Sequence, residues 1–88
     1  MKQLIKVTEV ENEGLNALLG MKVLIFASNY IYTGLLVGVN DMFIKLEEAK
    51  IVYETGAFTT KGYTDAQALP GLSWYVQQNA IESYGESK

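Results

Sequence analysis

Two short polar segments carry the side chains best suited to chemistry. Asn40-Asp41-Met42 and Gln77-Gln78-Asn79 interrupt apolar sequence with amides, a carboxylate and a thioether. Amide groups donate and accept at once, so they can read the edge of a nucleic-acid base, and a methionine can cover a base face. As plain chain geometry both segments are turns, because Asn and Asp tolerate left-handed backbone and close turns locally. Phe58, Tyr63, Trp74 and Tyr75 offer further faces for stacking, a contact of about 1–3 kcal/mol per base. Packing is the commoner use of aromatics, and for Trp74 and Tyr75 it is the favoured one. Lys45 and Lys22 are the first cations to consider for phosphate contact.

Other chemistry is poorly served. The chain has no His and no Cys, which removes thiol nucleophiles, Ser-His-Asp centres and the commonest zinc ligands. Glu47-Glu48 are paired acids, but adjacent residues in a strand point to opposite faces and cannot converge on one bond without a bulge. Glu82, Glu86 and Asp65 show no calcium-loop spacing. There is no Walker loop and no dinucleotide fingerprint, since Gly34 and Gly38 lack the helix that should follow. The expectation is a non-enzyme with no cofactor and no metal.

All seven cations are Lys; against ten acids they leave a formal charge of −3. A whole-chain basic footprint of the kind that drives nucleic-acid affinity is absent, so any such binding must be local. No run approaches the roughly 18 apolar residues of a membrane span and none opens the chain as a signal peptide. A soluble, cytoplasmic protein without membrane contact is expected.

The elements that must position these residues follow from patterning. Eighty-eight residues make one domain, residues 1–88. Folding at this size buries only about 60–65% of the accessible surface, so help from oligomerisation is expected in the absence of disulfides. Thr8 and Glu11 fit a capping box, and Val10, Gly14 and Leu18 with Leu15 and Leu19 recur at helical spacing up to Gly20, predicting about three turns of N-terminal α-helix. Val23-Leu24-Ile25-Phe26-Ala27 then reads as a strand, Ser28-Asn29 as a turn, and Tyr30 to Val39 as a second strand. Gly34 and Gly38 inside it mark a sharp bend, as at the corner of a small barrel. A third strand begins at Met42-Phe43-Ile44-Lys45-Leu46; Glu47 to Lys50 suit a bulge or turn, and Ile51 to Glu54 extend or resume the strand. Residues 55–73 read as a long loop. Trp74-Tyr75-Val76 and Ala80 to Tyr84 complete an inventory of one helix and about five strands, mainly β.

Several small barrels share that architecture. Leu15 to Ile25, where a helix ends shortly before an apolar strand, resembles the opening of Sm-like (LSm) proteins. The run from Tyr32 to Leu46 is similar to that family's first motif, in which a glycine bends strand two and a polar loop precedes an apolar third strand. Tyr75-Val76-Gln77-Gln78-Asn79-Ala80-Ile81 is similar in layout to its second. The resemblance implies an SH3-like, strongly bent, five-stranded antiparallel open barrel whose subunits join edge to edge in a homo-oligomeric ring of about five to seven copies. It also implies binding of single-stranded RNA, or other nucleic acid including DNA, in RNA processing, with Asn40, Asp41, Met42, Gln77, Gln78 and Asn79 at the site, to which the residues themselves add Lys45 as the cation for phosphate. The chain departs from the family in having Gln77-Gln78 where Arg-Gly is usual, and copies of Asp41 would repel phosphate. A structural or protein-adaptor ring that binds no nucleic acid is therefore the alternative. Glu9, Glu11 and Glu13 argue against RNA on the helix side.

Overall fold

The computed structural model of the chain describes Ile5 and residues 13–88. Its fold is mainly β: β1 (Lys22–Ala27), β2 (Ile31–Val39), β3 (Phe43–Glu54), β4 (Asp65–Ala68), β5 (Ser73–Gln77) and β6 (Ile81–Glu86). All pairings are antiparallel, in the order β4-β3-β2-β1-β6, with β5 also on β3. Among the described residues no helix is long and apolar enough to cross a membrane.

The expected N-terminal α-helix is absent from the described residues; a 3-10 helix, Gly14–Leu18, stands in its place. Glu13 is extended and Gly14 has φ +63. A left-handed residue breaks the continuous right-handed backbone an α-helix needs. Leu15 nevertheless buries against the sheet and Leu18 packs beside it. The Thr8–Glu11 capping box lies outside the described residues.

β2 and β3 are long enough to bend, and residue size decides where. An added Cβ on Gly34 would sit 3.0 Å from the Glu47 carbonyl oxygen and 3.2 Å from Ala49 Cα, so only glycine allows the strands to approach this closely. Across from it, Glu48 takes φ +52, and the register slips between Thr33 and Leu35. A bulge of this kind sharpens local twist and curls the sheet. Glu47 and Glu48 thus lie within one continuous strand, at its bend.

The bend also explains why the described residues form six strands instead of the five expected. β5 pairs with the first half of β3, from Phe43↔Gln77 to Glu47↔Ser73. β4 pairs with the second half, from Lys50↔Ala68 to Glu54↔Asp65. The two lie end to end along one edge of β3, separated by residues 69–72, where Pro70 has no N–H to give and Gly71 has φ +85. The span 55–73, expected as a loop, therefore contains a strand.

Alternation places the core. Val23, Ile25, Leu36, Ile44 and Leu46 are fully buried, with Leu15, Ala49 and Val76 closing the cluster and Trp74 packed on it. Burying each large aliphatic side chain contributes about 1.5–3 kcal/mol. The opposite sheet face is covered in part as well: Leu24 and Thr33, register partners, are both buried, and the Thr33 hydroxyl donates to the Val23 carbonyl at 2.8 Å.

Candidate nucleic-acid interface

The turn between β2 and β3 is closed by its own first residue. Asn40 Oδ1 accepts the backbone N–H groups of Met42 and Phe43, both at 2.8 Å, and the Asn40 N–H donates to the Phe43 carbonyl at 3.0 Å. Such side-chain mimicry of a backbone turn is what Asn does well. The second segment leaves β5 extended at Gln77 and enters a short 3-10 helix, Gln78–Ala80. Its Gln78 N–H donates to the Met42 carbonyl at 2.8 Å, and the Gln78 side-chain amide donates to the Asn40 carbonyl.

Two loops far apart in sequence are thereby locked into one unit. Between them lies a cleft of about 250 Å³ lined by Asp41, Met42, Phe43, Gln77 and Asn79. Six of the seven expected site residues come together here, and they divide by task. Asn40 Oδ1 and Gln78 Nε2 hold the loops, whereas Asp41, Met42, Gln77 and Asn79 line the cleft. Met42 is 74% exposed.

Lys45 stands apart from the cleft wall. Strand alternation turns Phe43 and Lys45 outward while Ile44 and Leu46 point to the core. The Lys45 ammonium lies 6.0 Å from the centre of the Tyr75 ring, and that ring meets Phe43 edge to face at 5.2 Å. Tyr75 is exposed, not packed in the core, while its neighbour Trp74 is turned inward. Lys22 lies at a different cleft, of about 490 Å³. Phe58 and Tyr63 flank Lys88 and belong to no platform with Trp74 or Tyr75.

Phe43 was not among the residues expected at the site, although its place in the Phe43-Ile44-Lys45-Leu46 alternation signals an outward side chain. A second cleft of about 250 Å³ adjoins Gln77 on its other side, lined by Tyr30, Tyr32 and Tyr75 with Ser28 and Asn29. Tyr30 and Tyr32 meet edge to face at 6.3 Å. Burial, and secondarily the neighbouring Tyr30, pushes the Tyr32 hydroxyl above the usual phenol range, so it stays a neutral donor at physiological pH.

The outcome, among the described residues, is a surface with apolar faces from Met42, Phe43 and Tyr75, amides from Gln77 and Asn79, the Lys45 ammonium nearby and the Asp41 carboxylate. No protein-family model matches the chain, and no curated protein matches it either.

Proposed function

We propose that the chain is a non-enzymatic Sm-like subunit that completes its sheet against copies of itself in a ring, and that it binds single-stranded RNA or another single-stranded nucleic acid at the cleft between residues 40–43 and 77–79. One observation carries this reading: the Gln78 bridge holds an exposed Met42–Phe43 face beside two uncommitted amides, Gln77 and Asn79. A base has both features to offer in return, a face to stack and an edge to read.

The test is filter binding or fluorescence anisotropy with uridine-rich and adenine-rich oligonucleotides. Phe43→Ala and Met42→Ala weaken binding, by about 5- to 100-fold for the aromatic. Gln77→Ala weakens it while the assembly stays intact, and Asp41→Asn tightens it by removing a charge that repels phosphate. With Lys45 the nearby cation, the slope of log K against log salt is shallow, about −0.7 for each phosphate neutralised on a single strand. Unchanged affinity in all four variants removes this cleft from the binding site.

The protein-adaptor reading rests on a specific observation of its own, the net charge of −3 with Asp41 at the mouth of the cleft. Absence of oligonucleotide binding at any salt concentration selects it.

A further inference from the structure

On the face of the sheet opposite the core, a lysine is held in a setting that neither the cleft nor the ring requires. The Lys88 ammonium donates to the backbone carbonyls of Thr55 at 2.6 Å and Ala57 at 2.7 Å. The same nitrogen lies 5.4 Å from the centre of the Phe58 ring and 5.1 Å from that of Tyr63, inside the range at which an aromatic face attracts a cation. Two carbonyl dipoles and two ring faces thus converge on one positive charge.

The backbone builds this cage. Gly56 lies between the two carbonyls with φ +70, and any Cβ there would run into the Thr64 hydroxyl. Gly62, with φ +78, returns the chain so that Tyr63 lies opposite Phe58. A hydroxyl chain fastens the same segment beside the cage: Tyr63 shares a hydrogen bond of 2.6 Å with Ser87, and Thr33 lies 3.4 Å from Ser87. Residues 62–66 form one wall of the 490 Å³ cleft whose floor includes the buried Thr33.

We propose that residues 55–63 are a receptor for a primary alkylammonium group, with the Lys88 side chain as its resident ligand, and that this capture is what holds the segment over the outer face of the sheet. The carbonyls demand N–H donors, which a quaternary ammonium lacks, while the rings accept any cation. The ligand class is therefore an alkyl chain ending in –NH₃⁺. Nothing in this depends on nucleic-acid binding or ring formation.

Hydrogen–deuterium exchange on the full chain tests it. Lys88→Ala raises exchange in residues 55–64 about tenfold or more, the scale of losing charge-assisted hydrogen bonds together with cation–π contacts. Protection in β1 and β3 stays as it was. Adding n-butylammonium chloride to Lys88→Ala restores protection in residues 55–64; tetramethylammonium chloride at equal ionic strength does not. Phe58→Ala in the Lys88→Ala background shifts the restoration to higher butylammonium concentration. Should Lys88→Ala lose protection throughout the sheet, Lys88→Met keeps the apolar stem without the charge and takes its place. Unchanged exchange in the variant, or restoration by both salts or by neither, overturns the proposal.

Discussion

At the scale of single residues, the loops separate side chains that build from side chains that face outward. Asn40 satisfies two backbone donors in its own turn, so Asn40→Ala costs about 1–2 kcal/mol of stability, the scale of hydrogen bonds lost from a closed turn. Asn79 is exposed at the cleft wall, and its replacement by Ala leaves stability within about 0.5 kcal/mol. Urea midpoints for the two variants check the division. If Asn40→Ala left the midpoint unmoved and yet abolished oligonucleotide binding, Asn40 would be reading the ligand itself. Gln77 and Gln78 show why sequence alone leaves this open: two identical neighbours do different work. Gln77 ends β5 pointing out, while Gln78 begins a turn whose geometry aims its amide at the Asn40 carbonyl.

At the scale of elements, the bend of β2 and β3 is the device that brings the loops together. Gly34→Ala forces a Cβ to 3.0 Å from a backbone oxygen, where no side chain can yield, and destabilises by about 1–3 kcal/mol. At Gly38 the same change meets only the Lys45 Cβ at 3.5 Å, an ordinary contact, and is neutral or stabilises by up to about 1 kcal/mol. Denaturation of the two variants side by side checks that contrast; equal effects would mean that crowding at Gly34 does not set the bend. The strands β1, β2, β3 and β5 were legible because branched and aromatic residues mark them and alternation divides their faces. β4 was not, since Asp65-Ala66-Gln67-Ala68 has no branched or aromatic residue and only the open edge of β3 makes it a strand. The helix failed for a different reason: its apolar spacing is real and buries Leu15, but Gly14 takes a left-handed conformation that spacing does not reveal. At the site, Asn40-Asp41 and Gln77-Gln78-Asn79 were legible as polar interruptions between strands. That the two loops share one site was implied by the family resemblance and not by local pattern, and the Gln78 bridge that locks them was not legible, because a contact across 38 residues leaves no local mark.

At the scale of the whole molecule, what stands out is an unfinished sheet. Among the described residues β4, β5 and β6 each pair on one side only, leaving two edges whose outward backbone groups have no strand partner among those residues. The radius of gyration of 13.5 Å exceeds the roughly 12 Å of a closed globule of this length. Large apolar side chains also remain exposed near both edges, Leu72 at 89% beside β5 and Tyr84 at 42% on β6. Exposed edges of this kind favour pairing with another chain, and identical chains that pair edge to edge close into a ring when the rotation allows it. Multi-angle light scattering at micromolar concentration is therefore expected to give a mass several times that of one chain. The discriminating variant is Glu86→Pro. The Ser87 N–H donates inward, to Lys22 of β1, so strand alternation turns the N–H of Glu86 outward. Proline there removes a donor from the edge that no described strand covers while sparing the bonds to β1, a substitution that edge strands tolerate. The mass falls toward that of the monomer while the far-ultraviolet circular dichroism of the sheet persists. A parent protein that is itself monomeric would show that these edges stay unpaired, and an assembly unmoved by Glu86→Pro would place the subunit contact on another face.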